Sequence, residues 1–350
     1  MGFGRFLTYR IIITIVILVL TVVITLAIMG PALDNILQKS VVQEVRNSIL
    51  QRPDILSRFR DPKDLEAYIN GQIYQAIHNL ALDEPWYSPN RLGNMVLKLL
   101  TLDLGQSFFL RSYGGSNNVR DIILEALPRT ILLFTTATII SLVIGLLLGV
   151  VTARRAGSPQ DQATSTFAIT SGSFPLWWVG MIMIFVFAYG LRVFPARATP
   201  LIAPSDPTYP LALLYHMTLP LITLVMLSFG GWAYVVRNLV IGILQEDYIT
   251  VATAKGVPER KVLYGHALKS AAPPVITIIA LSLSGSLGGA IITEAVFDWP
   301  GIGRLYFAAI SVLDIPVIVG LTYVTTLVFL VSILIADVAY GFFDPRVKVG

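Results

Sequence analysis

The chain has 350 residues, 55% of them hydrophobic and 13% charged, with a mean hydropathy of +0.73, a balance outside the range of soluble globular domains. Its formal charge of +4 is spread over loops rather than gathered on one face, which argues against a nucleic-acid partner. It contains no cysteine, so disulfides, thiolate chemistry and cysteine-ligated metal are excluded.

About 20 apolar residues cross the hydrocarbon core of a bilayer. On that measure six helical spans are predicted, at 10–30, 128–152, 165–191, 211–236, 274–296 and 317–342. The run from Ile11 to Met29 is too long for a signal peptide, and Gly30, Pro31 and Ala32 make a poor cleavage site, so the first span reads as a retained anchor. The fold class expected is an all-α integral membrane protein whose lipid-facing surface is in contact with the bilayer.

The segment 31–127 is the one sizeable region predicted outside the membrane. Its mixed charge, its prolines (Pro53, Pro62, Pro85, Pro89) and runs such as AYINGQIYQAIHNLAL predict a small, mostly helical outer subdomain. Two readings stand for it: a collar that meets a soluble partner, or a long connection that packs on itself.

Basic residues fix the expected topology. With the amino terminus inside, the inner segments collect Arg5, Arg10, Arg154, Arg155, Arg237, Lys255, Arg260, Lys261, Lys269, Arg346 and Lys348, against Arg192, Arg197 and Arg304 in the short outer loops. Cationic loops stay on the cytoplasmic side, so both termini are predicted to be cytoplasmic, with 343–350 as a short tail and the five later spans, 128–342, as a core.

Between the fourth and fifth spans lies a polar island, 245–273, opening QEDYITVATAKGVPERK. Good helix formers run from Glu246 to Lys255, Gly256 supplies a permissive backbone for a sharp turn, and Pro258 suits the start of a second helix. Ala252, Ala254 and Gly256 give a small-residue surface able to sit in a groove, with Asp247, Lys255, Glu259 and Arg260 at its rim. The alternative is an interfacial helix resting on lipid headgroups.

Elsewhere the residues suggest helix contact rather than chemistry. Gly285 and Gly289 have GxxxG spacing, with Ser282, Ser284, Ser286 and Gly288 beside them, a pattern for close helix approach or for lining a pathway. Trp177 and Trp178 follow Phe174 and Pro175 inside the third span, where a kink and aromatic faces shape either a passage or a packing surface. Asp337 lies near the inner end of the sixth span, and an ionisable group there calls for a basic partner at the rim. His78, His216 and His266 fall in three different segments without a second ligand at metal-binding spacing. They also leave the SLSGS run, Ser282–Ser286, without a base for nucleophilic catalysis.

The island resembles the cytoplasmic loop of binding-protein-dependent ABC importer permeases, in the dipeptide, oligopeptide and nickel branch. The resemblance is carried by Asp247 and Tyr248, by Ala254, Lys255 and Gly256, by His266, Ala267 and Leu268, and by Pro274. GGAIITEAVFDWPGIGRL at Gly288–Leu305, FFDPRV at Phe342–Val347, Asp103, Leu104, Gly105 and Ser107, and Leu127–Pro128 are similar to further segments of the family. The chain departs from it at Thr250 and Val251, where the wider superfamily has Glu and Ala, and after the first span, where Gly30, Pro31, Ala32, Leu33 and Asp34 replace a Pro, Gly, Asp, Pro signature.

The resemblance implies a type I importer fold, a second homologous permease, two ATP-binding subunits and an extracytoplasmic substrate-binding protein. It implies that Glu246, Asp247, Tyr248, Ala252, Ala254, Lys255, Gly256, Glu259, Arg260 and His266 form the loop on which the ATPases act. No GxxxxGK[ST] motif is present, so ATP and magnesium are expected on the partner subunits, with no cofactor or enzymatic activity in this chain. Short peptides are the cargo the branch implies and oligosaccharides the alternative. A channel or a scaffold without ATPase partners is the alternative from another class.

Overall fold

The structure, a computed structural model, describes residues 3–343 apart from Arg60, Ala81 and Trp86. The described residues form helices; their one β-type pairing is an isolated antiparallel bridge between Gln106 and Asn118. The tail 344–350, with most of the FFDPRV motif and the predicted charges Arg346 and Lys348, lies outside the described residues.

Helix α1, Phe3–Leu50, passes through Pro31 without a break. At 1.5 Å per residue it is roughly 72 Å long, more than twice the hydrocarbon thickness. Its apolar part, Leu7–Ala32, suits a span, and the remainder projects beyond it. Residue 30 is therefore no boundary. The segment 31–127 begins as an extension of α1 and adds α2 (Pro53–Leu56), α3 (Pro62–Asn79) and α4 (Pro89–Leu100). Arg91 of α4 fastens this unit with a two-pronged ion pair to Asp34, Nη2–Oδ1 2.6 Å and Nη1–Oδ2 3.2 Å, and a bond to the Glu84 carbonyl at 2.7 Å. The Gln38 amide adds a bond to the Leu82 carbonyl at 2.9 Å.

The core contains α5 (Val119–Arg154), α6 (Pro159–Ser173), α7 (Leu176–Met183, widening into a π-helix over Ile184–Gly190), α8 (Tyr209–Leu244), α11 (Leu268–Ser286) and α14 (Ile315–Phe343). Among the described residues, five helices are long and apolar enough to cross a membrane, six if the bent pair α6–α7 is one span. The first span lies along α14, with Leu18, Val22 and Leu26 buried beside Val317, Leu321 and Val324.

Two predicted spans differ from expectation. The third, 165–191, is not a straight helix: α6 starts at Pro159 and meets α7 at 97°. The cause is local, because Pro175 disfavours helical geometry at the preceding residue, and Phe174 is extended at φ −95°, ψ 137°. The fifth, 274–296, is displaced. The spanning stretch runs Glu259–Ser286, taking in the second half of the polar island, because Leu263, Ala267 and Ala271 are buried against α5 and α8.

The tight helix pair of the core is α5 with α8. A Cβ added at Gly145 would lie 2.3 Å from the Trp232 Cβ, and one at Gly149 would lie 2.7 Å from the Ala233 carbonyl. These two glycines form the small-residue contact of the bundle. The pair expected in that role, Gly285 and Gly289, does not. Helix α11 ends at Ser286, Gly289 stands beyond it at φ +67°, and open space surrounds the Gly285 Cα.

Candidate docking loop and the struts that hold it

The turn from α8 leads through Glu246, extended at φ −71°, ψ 145°, into α9 (Asp247–Ala254). Ile249 is the buried anchor of α9, while Tyr248, Val251, Ala254 and Lys255 are exposed and Ala252 is half-buried. The helix is closed by a Schellman turn: the Val257 N–H donates to the Ala252 carbonyl at 3.2 Å and the Gly256 N–H to the Thr253 carbonyl at 2.9 Å. Gly256 sits at φ +78° with nothing within 4 Å of its missing Cβ. Glycine is thus required here for backbone conformation, not for space.

Past the turn, α10 (Glu259–Lys261) continues through a π-helical turn, Val262–Ala267, into α11. Two struts brace the protruding loop. At the end of α5, the Arg154 guanidinium grips Glu259, Nε–Oε1 2.7 Å and Nη2–Oε2 3.1 Å. The Tyr248 hydroxyl lies 2.9 Å from the Ser270 hydroxyl on α11. A third fastening lies behind the loop, where Arg237 of α8 pairs with Asp161 of α6, Nη2–Oδ2 2.6 Å, and the same carboxylate accepts the Gly157 N–H at 2.8 Å. Asp161 is 2% exposed.

The predicted loop residues therefore fall on one protrusion. Glu246, Asp247, Tyr248, Ala254, Lys255, Gly256, Glu259 and Arg260 are on its open face, and His266 is half-buried in the π-turn. Sequence reasoning missed the roles of Arg154, Ser270 and the Asp161–Arg237 pair. One signal was available: Ser158 followed by Pro159 and Asp161 is a helix-start pattern, and the Ser158 hydroxyl does accept the Asp161 N–H at 3.3 Å.

Beside Thr130, roughly 36 Å along α5 from Arg154 at 1.5 Å per residue, Glu294 of α12 (Ile291–Phe297) is 1% exposed. It accepts the Thr130 hydroxyl at 3.1 Å and the Gly303 N–H at 2.9 Å, capping α13 (Ile302–Val312), while Thr130 in turn accepts the Ile302 N–H at 2.7 Å. A Cβ at Gly289 or Gly301 would strike Glu294 and Thr130. This explains Gly289 and Gly301 of the GGAIITEAVFDWPGIGRL segment. Helix α12 lies between the spanning stretches, and burial pushes its Glu294 carboxyl up to about 7, against the opposing hydrogen bonds.

Two further carboxylates complete the joint. Asp298, in left-handed conformation at φ +57°, receives Arg197 Nε at 2.9 Å and Arg304 Nε at 2.6 Å, and its carbonyl accepts the Thr199 hydroxyl. Asp314, fully buried, accepts the Ser107 hydroxyl at 2.6 Å and the Phe109 N–H at 3.0 Å, tying the Asp103–Ser107 motif to the start of α14.

Of the pathway candidates, Ser286 contacts Thr135 of α5 through their hydroxyls at 3.1 Å, and Ser282 is half-buried. Trp177 and Trp178 are 36% and 41% exposed, with Trp178 stacked on Phe174 at 5.4 Å. Asp337 has its basic partner, Arg10 of the first span, at 3.2 Å. His78 pairs with Asp83, and His216 Nδ1 lies 2.6 Å from the Arg197 carbonyl.

Residues 145–349 match the family described as the inner membrane component of binding-protein-dependent transport systems. That stretch takes in both struts of the loop and Glu294, while its partner Thr130 lies before it. The chain belongs to this family. Its similarity to curated members is long as well as specific. It is 31% identical over 297 residues to the oligopeptide transport system permease protein AppB of Bacillus subtilis (strain 168), covering 84% of this chain and 90% of that protein. It is 32% identical over 293 residues to the di/tripeptide transport system permease protein DppB of Pseudomonas aeruginosa (strain UCBPP-PA14), covering 78% and 84%. A dipeptide transport system permease protein DppB from Alkalihalophilus pseudofirmus is 33% identical over 287 residues, covering 77% and 84%. This inner membrane component is thus a multi-pass helical membrane protein of the permease kind.

Proposed function

We propose that this chain is one of two permease subunits of an importer that moves short peptides, delivered by an extracytoplasmic binding protein and driven by two ATP-binding subunits. The α9–Gly256 protrusion is the surface the ATP-binding subunits engage, in the cytoplasm, with both termini on the same side. The observation that carries this reading is the bracing of an otherwise exposed loop. Its closing turn is fixed by Gly256, and the Arg154–Glu259 and Tyr248–Ser270 bonds connect it to the ends of α5 and α11. A push on α9 is thereby delivered to membrane-spanning helices instead of being absorbed by a loose loop.

Helix α5 carries the movement across the membrane. It is continuous from Val119 to Arg154, and its far end is pinned to α12 and α13 by Thr130 and Glu294. Closure of the ATP-binding subunits would then reorient the outer joint, as alternating access requires. ATP and magnesium belong to those subunits. The names of the relatives support peptides over oligosaccharides as cargo.

Purification of the tagged chain from native membranes in mild detergent, with mass spectrometry of its partners, tests the assembly. Two ATP-binding subunits, a second permease and a binding protein loaded with peptide are expected. A chain that arrives alone under conditions preserving other complexes contradicts the importer reading, and bound oligosaccharide contradicts the cargo.

A further inference from the structure

At the Thr130 end of α5, a cavity of about 180 Å³ opens between α5, α13 and the 106–118 loop. Arg111, Arg129 and Arg304 line it with one carboxylate, Glu125, a surplus of two positive charges. That carboxylate is occupied in shaping the site, since it accepts the Tyr113 N–H at 2.9 Å. Arg304 is held by Asp298 and by the Thr199 hydroxyl at 3.3 Å. Arg129 and Arg111 make no ion pair among the described residues.

Arg129 is nonetheless tightly placed. Its guanidinium lies 5.1 Å from the Tyr113 ring centroid and 5.7 Å from that of Tyr209, with one nitrogen 3.5 Å from the Pro300 carbonyl. A guanidinium oriented by two aromatic rings and without a counter-ion is prepared for a planar anion, which it grips with parallel N–H donors. The remaining walls include Ile122, Ala126, Leu305 and Ala308, so an anion presented on a short apolar stem fits better than a free one. The volume suits a single residue of a chain inserted end-on.

We propose that this cavity is a carboxylate subsite of the permease that receives the C-terminal carboxylate of the peptide as it leaves the binding protein, with Arg129 as the principal ligand and Arg111 at the rim. The inference rests on peptides being the cargo. An acidic side chain of the docked binding protein has the same chemistry, and the test separates the two.

The intact importer, reconstituted in proteoliposomes, is supplied with binding protein loaded to equal occupancy with one peptide as its free acid or its C-terminal amide. Wild type is expected to import the acid about 10-fold or more faster than the amide, the effect of a charge-assisted hydrogen bond. Arg129→Gln is expected to remove that preference by slowing the acid alone, Arg129→Lys to keep part of it, and the exposed Arg111→Gln to reduce it without disturbing folding. Equal rates for acid and amide in wild type overturn the proposal. So does an Arg129→Gln variant that slows both cargoes equally and weakens binding-protein affinity, which assigns the cavity to an acidic side chain of that protein. Failure of wild type to import either form, with ATP hydrolysis intact, overturns the peptide reading itself.

Discussion

The Thr130 hydroxyl and the Glu294 carboxylate meet 3.1 Å apart although they lie 164 residues apart in the chain, and neither is more than 1% exposed. Each is satisfied by the other and by the first N–H groups of α13. The pair therefore joins α5, α12 and α13 into one block at the end of the core opposite the α9 loop.

Glu294 gives the block a pH signature. Its carboxyl is raised from 4.5 to about 7, so the folded chain holds a proton that the unfolded chain has released. The folded state then binds more protons between those values, and stability must fall as pH rises from about 4.5 to about 7, levelling off above. Thermal unfolding of the detergent-solubilised chain followed across that window is expected to show this decline, and Glu294→Gln to flatten it. A variant with the wild-type slope would assign the dependence to other groups.

Removing Thr130's hydroxyl leaves the Ile302 N–H buried without an acceptor. Thr130→Val should lower stability by about 1–3 kcal/mol, read as a lowered thermal midpoint. In the reconstituted importer it should lower peptide uptake more than ATP hydrolysis, because the far joint of α5 is loosened while the docking loop is intact.

The Gly256→Val substitution acts at the other end. At φ +78° a β-branched residue is strained by at least about 1–2 kcal/mol, and relief of that strain opens the Schellman turn. ATP hydrolysis uncoupled from uptake, with membrane insertion unchanged, is the expected outcome. Normal uptake would remove the turn from the coupling route.

The ion pair that braces the loop and the one behind it should behave differently. Arg154 and Glu259 are 47% and 64% exposed, so a double-mutant cycle on thermal stability should give little or no coupling, and less at high salt. Asp161 is buried, and Asp161→Asn abandons a partly buried Arg237. Its loss should be larger, roughly 3 kcal/mol, with the midpoint measured in the same detergent.

Much of this architecture was legible because lipid imposes strong rules. Long apolar runs located the spans approximately, and the basic balance and Gly256 located the turn. Two kinds of feature were not legible. Helix limits depend on partners: by composition Val262 to Ala271 belongs to a polar loop, yet α5 and α8 bury Leu263, Ala267 and Ala271. Long-range polar pairs such as Thr130–Glu294, Ser107–Asp314 and Asp161–Arg237 leave no periodic trace, because each partner is set by tertiary approach. The same GxxxG spacing occurs at Gly285–Gly289 and at Gly145–Gly149, and spacing alone does not tell that it is Gly145 and Gly149 that face the backbone of a neighbouring helix.

The most direct test of the account uses the absence of cysteine from the chain. A single Lys255→Cys substitution on the exposed end of α9 gives the chain a unique thiol, and a benzophenone maleimide attached to it in native membranes and photoactivated inserts into C–H bonds of whatever lies against it. The account predicts a crosslink to an ATP-binding subunit, with a yield that changes when ATP is bound and hydrolysis is blocked. A thiol that reacts freely with a soluble maleimide yet captures no ATP-binding subunit in either state would contradict it.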